Sequence, residues 1–183
     1  GLGDAWSASV VYDSKKFVAG IGYDKAIPST FAGRGTLNAS APEVTGGVAG
    51  SAFAAADTLR AIGRVNLNNG LALKALYQTS EVADVQGNDA AAAAIDDAQG
   101  WLVGAEYNLP TAKAWTVKAQ YSQNSTSFKT PKEDFDAQQF IAGADYAFTK
   151  QVKAYGYAGI LTLEQASFET KQPVVGTGIE YKF

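Results

Sequence analysis

The sequence predicts an all-β protein, an antiparallel β-barrel whose strands cross a membrane. Apolar and polar residues alternate with period two in about nine segments, and aromatic residues recur at the ends of these segments. Short turns and longer polar connections alternate between the segments, as in a barrel with turns at one rim and loops at the other. No apolar run approaches the roughly 18 residues of a membrane-spanning helix, so any crossing must use strands. We treat residues 1–183 as a single domain.

The composition excludes several classes of function. Only 18% of the residues are charged, the net charge is −3, and the sequence contains no Cys, Met or His. Without histidine the usual general base, metal ligand and Ser-His or Cys-His pairs are absent from this chain. We therefore predict no catalytic residues, no metal, no cofactor and no enzyme activity. The weak negative charge without a basic cluster argues against nucleic acid as a partner.

The first hairpin has aromatic residues at both ends of an apolar stretch. Trp6, Tyr12, Phe17 and Tyr23 share one face with small apolar residues between them. Pairing the strands across the turn at residues 13–16 predicts that Tyr12 lies beside Phe17 and Trp6 beside Tyr23. Such aromatic rows at both edges of an apolar band are typical of a barrel in lipid.

The second hairpin predicts an unusual pair of cations. Its three-residue turn ends at Gly70, which supplies positive φ, and this turn fixes the register so that Leu67 opposes Leu71 and Arg64 opposes Lys74. Like charges directly opposite on one face are unfavourable in a bare sheet. Two interpretations remain: the hydrated side chains splay apart, or they face an acidic element supplied from elsewhere.

Later hairpins extend the same polar face. Matching Leu109 to Trp115 brings Glu106 opposite Lys118, a pair of opposite sign. In the strand from Val152 the register predicts that Tyr155 and Tyr157 point inward. The candidate inward-facing charged residues are Arg60, Arg64, Lys74, Glu106 and Lys118. The inward-facing glycines, which either widen the interior or relieve strand curvature, are Gly20, Gly22, Gly104, Gly143, Gly176 and Gly178.

The polar connections are predicted to be long loops. They cover residues 25–57, 81–99, 124–136 and 162–172. The second contains an alanine run that could form a helical turn, among acidic residues that could bind divalent cations or simply face solvent.

The last ten residues alternate strictly and end on an aromatic residue. This ending resembles the carboxy-terminal signal of Gram-negative outer-membrane proteins, with Ile179, Tyr181 and Phe183 at the matching positions; the alternative is the final strand of a soluble sheet. Together with the hairpins, it makes the chain resemble the general diffusion porins over essentially its whole length. The predicted aromatic girdle comprises Trp6, Tyr12, Phe17, Tyr23, Tyr77, Trp101, Tyr107, Trp115, Tyr121, Tyr146 and Phe148.

The resemblance implies a water-filled channel for passive diffusion of ions and small hydrophilic solutes across the outer membrane. It also implies a periplasmic carboxy terminus, contact with lipid and lipopolysaccharide, recognition by the barrel-assembly machinery, and a homotrimer. Because bacterial barrels have even strand numbers, nine strands suggest strands 8–16 of a sixteen-stranded porin whose amino-terminal half is not in this sequence. Inward-facing Arg60, Arg64, Lys74 and Lys118 would then form a basic wall that faces an acidic constriction loop in that other half.

Other interpretations remain open. A smaller barrel with one strand miscounted is possible, as is a small non-conducting barrel that acts as a structural anchor or adhesin. An outer-membrane hydrolase or protease would usually need the histidine that this chain lacks. A soluble carbohydrate-binding β-domain would need an apolar interior instead of the charged alternate face seen here.

Overall fold

The protein, described here by a computed structural model over residues 4–32, 51–84, 90–129 and 133–183, forms one sheet in these ranges. The strands are β1 (Trp6–Asp13), β2 (Phe17–Ala32), β3 (Ser51–Asn66), β4 (Leu71–Asp84), β5 (Ile95–Asn108), β6 (Trp115–Phe128), β7 (Phe135–Ala147), β8 (Val152–Gln165) and β9 (Phe168–Tyr181). Each strand pairs antiparallel with the next along the chain, in the order β1 to β9. The predicted all-β, antiparallel fold is confirmed.

A short helix α1 (Ala90–Ala93) precedes β5, so the alanine run does form a helical turn. Within the described residues, no helix has the length and apolar character needed to span a membrane. The sheet is open in these ranges, with β1 and β9 as its two edges.

The alternation of side chains gives the sheet two different faces. We call the face that carries Arg64, Lys74 and Glu106 the inner face and the opposite one the outer face. Large apolar residues on the outer face are exposed, including Val10, Val175 and Ile179. A soluble sheet would bury such a surface, since a contiguous exposed apolar patch is costly in water.

The registers predicted from two turns are confirmed. In β3 and β4, Arg64 is directly opposite Lys74, and the Leu67 amide donates to the Leu71 carbonyl at 2.7 Å. Gly70 has φ +85°, a backbone conformation that glycine adopts without steric cost. In β5 and β6, Glu106 lies opposite Lys118, as the Leu109 to Trp115 match required.

The first hairpin differs by two residues from the predicted register. Tyr12 is paired with Ala19 and Trp6 with Lys25. The predicted aromatic neighbours nevertheless touch diagonally, with ring centroids 4.9 Å apart for Tyr12 and Phe17 and 5.4 Å apart for Trp6 and Tyr23. The register differs because the turn is centred on Lys15 and Lys16, one residue further along the chain than predicted, and diagonal neighbours remain within reach of large rings.

Three of the predicted loops are shorter than the sequence suggested, because the strands that enter and leave them are longer. β2 and β3 have 16 residues each instead of the eight to ten predicted. The parts of these connections at residues 33–50, 85–89 and 130–132 lie outside the described residues. Small residues such as Ala54 and Ala56 continue the strand but carry little hydrophobic signal, although both are buried.

The fourth predicted loop, residues 162–172, is wrong. β8 and β9 continue to a tight hairpin in which Gln165 pairs with Phe168 across Ala166 and Ser167. Ala166 has φ 53°, a conformation that disfavours a residue with a Cβ and is normally signalled by Gly or Asn. The sequence therefore lacks the expected turn signal.

A small apolar core lies on the inner face where the strands approach the longer connections. Its buried members are Phe31, Ala54, Ala56, Ala92, Ile95, Phe128, Phe135 and Leu163. Ala92 of α1 and Ile95 at the start of β5 are fully buried. The described part of the connection between β4 and β5, from Ala92 to Ile95, thus packs against the sheet, and this end of the inner face is apolar.

Candidate functional site on the inner face

A continuous row of ion pairs crosses the inner face near the end with short turns. We call it the charge ladder, and its members are Arg64, Lys74, Glu106, Lys118, Asp145, Lys153, Glu180 and Lys182. It contains five cations and three anions and runs from β3 to the chain end beyond β9. Each anion lies between cations, which lowers the repulsion that the cations would otherwise have.

Glu106 is the acidic partner of the cation pair on β3 and β4. Its carboxylate lies 2.5 Å from Lys74 Nζ, 3.6 Å from Arg64 Nη2 and 3.8 Å from Lys118 Nζ. The cations therefore neither splay apart nor require a distant acidic element, because the neighbouring strand provides one. Lys74 reaches Glu106 diagonally, since the residue directly opposite Lys74 is Gly104, which has no side chain.

The alternation placed Asp145, Glu180 and Lys182 on the polar faces of their strands, but the ion pairs in the second half of the ladder were not predicted. Asp145 Oδ2 accepts from Lys118 Nζ at 2.6 Å and lies 3.5 Å from Lys153 Nζ. Lys153 Nζ lies 2.9 Å from Glu180 Oε2, and the two residues are paired directly across β8 and β9. The predicted loop at residues 162–172 left β8 and β9 without a register, so the direct pairing of Lys153 with Glu180 was not predicted.

Arg60 stands apart from the other predicted inner-face charges. Its Nε donates to Gln78 Oε1 at 2.8 Å, on the side of the ladder towards the apolar core. It lines one cavity with Asp24 and with several uncharged polar side chains of the inner face, including Thr58, Ser80, Ser122 and Asn124. The structure therefore brings together Arg64, Lys74, Glu106 and Lys118 but not Arg60. That any of these residues lines a pore stays a prediction.

Two tyrosines lie on the inner face beside the ladder, as the register of β8 predicted. Tyr155 is directly opposite Gly178 and Tyr157 directly opposite Gly176. A Cβ added at Gly176 would lie 2.3 Å from Tyr157 Cζ, and one added at Gly178 would lie 2.5 Å from Tyr155 Oη. These two glycines therefore accommodate aromatic rings and do not widen the interior.

The other inward-facing glycines differ in how much space surrounds them. A Cβ at Gly20 would lie 3.1 Å from the Ile62 side chain, whereas one at Gly22 would meet only Ser9 and the Ala8 carbonyl, no closer than 3.5 Å. A Cβ at Gly143 would lie 2.5 Å from the Gly156 carbonyl oxygen, so that position requires the close approach of two backbones.

The predicted girdle residues lie on the outer face, and several of them touch. Near the short turns, Trp115 contacts Tyr146 and Tyr146 contacts Phe148, with centroids 4.9 Å apart in both pairs. Trp101 and Tyr121 form a contact at 5.3 Å nearer the longer connections. The remaining girdle residues on this face are Trp6, Tyr12, Phe17, Tyr23, Tyr77 and Tyr107.

The three residues of the predicted assembly signal also lie at the outer surface. Ile179 and Tyr181 are exposed on β9, and the Tyr181 ring lies 5.9 Å from that of Phe183, which follows the strand. They are accessible, and recognition by an assembly factor stays a prediction. No group of His, Cys, Asp or Glu in the described ranges is arranged to hold a metal ion.

The Gram-negative porin family matches residues 2–163 of the chain. Comparison with curated protein sequences gives no match.

Several solved structures of other proteins have a fold similar to that of this chain, although their sequences are only distantly similar to it. In-vitro folded OmpT, an outer-membrane protein of Vibrio cholerae, has a TM-score of 0.64 and 13% identity, over 97% of this chain and 55% of OmpT. Outer-membrane expressed OmpT of Vibrio cholerae has a TM-score of 0.56 and 14% identity, over 96% and 64% respectively. This chain thus spans between about half and two thirds of these proteins, and at such identity the likeness concerns the fold alone.

The family match covers most of the sequence, and the structures that resemble the sheet are outer-membrane β-barrels. An exposed apolar outer face and a charged inner face are what such a barrel wall requires. The chain belongs to the Gram-negative porin family and is a protein of the outer membrane.

Proposed function

We propose that this chain forms part of the wall of a water-filled channel through which ions and small hydrophilic solutes diffuse passively. The single observation that carries the proposal is the charge ladder, which lies on the sheet face opposite an exposed apolar surface. Charged groups are stable on a barrel wall when they face water, and rings of charge on such a wall select among ions.

A channel of this kind needs a closed sheet. An unpaired strand edge in hydrocarbon leaves backbone groups without partners, at a cost of several kcal/mol for each group. The free edges of β1 and β9 must therefore be paired so that the sheet closes. A water-filled interior also requires a barrel with more strands than the roughly eight whose interior side chains can fill. The OmpT chains that resemble this one are longer than it is, which agrees with such a requirement.

The same proposal includes the orientation and partners that the family resemblance implies. The short turns and Phe183 would lie at the periplasmic rim, and the longer connections would meet lipopolysaccharide outside. The exposed outer face would contact lipid, the barrel-assembly machinery and neighbouring subunits of a homotrimer. No enzyme activity is proposed, because the chain carries no histidine for the usual catalytic pairs.

The test is the electrical behaviour of the native full-length polypeptide. Its mass is measured first, and its electrophoretic mobility is compared before and after heating, which reports folded and oligomeric states. The folded protein is then inserted into planar lipid bilayers. Stepwise, ohmic conductance increments support the proposal. Folded, heat-modifiable protein that gives no conductance over a range of protein concentrations overturns it.

A further inference from the structure

We propose that Tyr155 and Tyr157 form a binding subsite for neutral saccharides on the inner face. This inference deepens the proposed function and rests on it, since a solute would reach these rings through the water-filled interior. The two tyrosines are not part of the charge ladder, and they are the large aromatic side chains that β8 directs inward.

The glycines opposite them set the orientation of the rings. Tyr157 Cζ, Oη and Cε1 would all lie within 2.7 Å of a Cβ at Gly176. The outer part of the ring therefore lies over the β9 backbone, in the space that a side chain would occupy. Tyr155 lies over Gly178 in the same way. One side of each ring is against the wall, so the other side faces the interior.

The rings are only partly covered. Tyr155 is 38% exposed and Tyr157 is 39% exposed, although both contact the wall. Alternate residues of one strand lie about 7 Å apart on the same face. The two rings thus form adjacent apolar surfaces along the direction in which β8 crosses the wall.

Polar groups surround these surfaces. The rings line a cavity of about 650 Å³ together with Gln120, Gln139 and members of the charge ladder. Within it, Lys118 and Lys153 both contact Asp145. Glutamine amides both donate and accept hydrogen bonds, while paired lysines and carboxylates supply strong donors and acceptors.

This combination fits a neutral saccharide better than an ion. The cavity is lined by three lysines and three carboxylates of the charge ladder, which pair with one another, so its lining carries no net charge that would hold an ion. A pyranose ring offers an apolar C–H surface to an aromatic face and hydroxyl groups to the amides and charges around it. Small-molecule sites commonly combine apolar surface with a few placed polar groups.

A purely structural role makes a different prediction. Aromatic rings can cover glycines in a sheet simply to stabilise it. If that were their only role, leucine would provide apolar cover at both positions, and solutes would be indifferent to the change. Leucine and phenylalanine variants therefore separate the two roles, since phenylalanine preserves both the cover and the aromatic face.

The experiment uses the full-length protein in planar bilayers and maltohexaose as the probe, with a polyethylene glycol of the same hydrodynamic radius for comparison. We compare wild type, Y155L/Y157L and Y155F/Y157F, and the matched control Y77L/Y121L changes two outer-face tyrosines. Folding of each variant is checked by heat-modifiable mobility. Calorimetric titration of the folded protein with maltohexaose in detergent gives a readout that does not depend on conductance.

We expect maltohexaose to interrupt the wild-type current in resolved events, while the polyethylene glycol gives none. The dwell time falls about tenfold in Y155L/Y157L, which corresponds to the loss of roughly one or two aromatic contacts. It stays within about twofold of wild type in Y155F/Y157F and in Y77L/Y121L. Calorimetric affinity should follow the same order.

Several results would overturn the subsite. One is a maltohexaose dwell time that is equal in wild type and in Y155L/Y157L. Another is interruption of the wild-type current by the polyethylene glycol as often as by maltohexaose. The third is the absence of calorimetric binding of maltohexaose to wild type. If Y155L/Y157L does not fold, a Y155F/Y157F variant that loses maltohexaose binding also overturns it. Absence of conductance with calorimetric binding intact would count against the proposed channel and not against the subsite.

Discussion

Lys74 donates a hydrogen bond of 2.5 Å to Glu106 across a diagonal of the sheet, because its direct partner on β5 is Gly104. This contact places a carboxylate among three cations on the inner face. Glu106 retains 22% side-chain exposure, so its pairs are hydrated, and each contributes little to stability. We expect these ion pairs to act mainly by changing the electrostatic potential inside the barrel.

Substituting Glu106 by Gln is expected to increase preference for anions. The change keeps the size of the side chain and leaves Arg64 and Lys74 without an ionised partner in the ladder. We expect the anion-to-cation permeability ratio to rise about twofold or more in 0.1 M salt and the change to shrink in 1 M salt, where charges are screened within about 3 Å. The permeability ratio is obtained from reversal potentials in a KCl gradient. Glu169→Gln, at the tip of the β8–β9 hairpin, is the matched control and should leave the ratio unchanged.

Neutralising the paired cations should have the opposite effect. R64Q/K74Q removes two positive charges and leaves Glu106 with Lys118 as its remaining cation in the ladder. The permeability ratio should move towards cations, again more strongly at low salt. The same reversal-potential measurement applies. Unchanged selectivity in R64Q/K74Q would remove these two residues from the proposed pore lining.

Two glycines in the sheet should differ sharply in their tolerance of alanine. A Cβ at Gly159 would lie 2.2 Å from the Phe140 carbonyl oxygen, while one at Gly63 would meet nothing within 4 Å. Gly159→Ala should lower the free energy of unfolding by about 1–3 kcal/mol, because the backbone must move to make room for the Cβ. Gly63→Ala should change the free energy of unfolding little. Urea unfolding of the full-length protein, followed by loss of heat-modifiable mobility, measures both. Equal stability of the two variants would contradict the close approach of β7 and β8.

The β8–β9 hairpin should be stabilised by glycine. Ala166 has φ 53°, which costs a residue with a Cβ about 1–2 kcal/mol relative to glycine. Ala166→Gly should therefore raise stability by up to about 1 kcal/mol after the greater entropy of unfolded glycine is deducted. Gly70→Ala is the reciprocal change at a positive φ and should lower stability. Urea unfolding distinguishes the two, and a destabilising Ala166→Gly would contradict the tight turn.

Ile95 should anchor the connection between β4 and β5. The side chain is fully buried in the apolar core, next to Ala92 of α1. Ile95→Ala should leave a cavity and lower the free energy of local unfolding of this connection by about 2–5 kcal/mol. We expect faster amide hydrogen exchange in α1 and the start of β5, with exchange at the short turns unaltered. Exchange that rises equally throughout β5 would show that the core does not stabilise this connection separately.

Much of the sheet could be predicted from the sequence. The period of two assigned the faces of most strands, and turns with a recognisable signal, such as the one at Gly70, fixed register well enough to place Arg64 opposite Lys74. The hairpin from Leu109 to Trp115 did the same for Glu106 and Lys118. These predictions succeeded because register depends on local turn geometry and on alternation.

Where the turn signal was absent, prediction failed. Ala166 adopts a conformation that its side chain disfavours, and the polar residues around it predict a loop where the structure has a tight hairpin. The error hid the direct pairing of Lys153 with Glu180. Ala54 and Ala56 likewise fall within a predicted loop, because small residues give no hydrophobic signal until packing buries them.

The sequence by itself determined the two-faced sheet, the order of its strands and the presence of charges on one face, since each follows from alternation and local turns. Only the tertiary structure decided which residues meet when they are not directly opposite in neighbouring strands, and how far a ring extends over the strand beside it. Glu106 contacts Lys74 diagonally, past Gly104, and the Tyr157 ring lies over Gly176. Such contacts depend on side-chain direction and on space left by neighbouring strands, and pairwise alternation along the chain does not encode either.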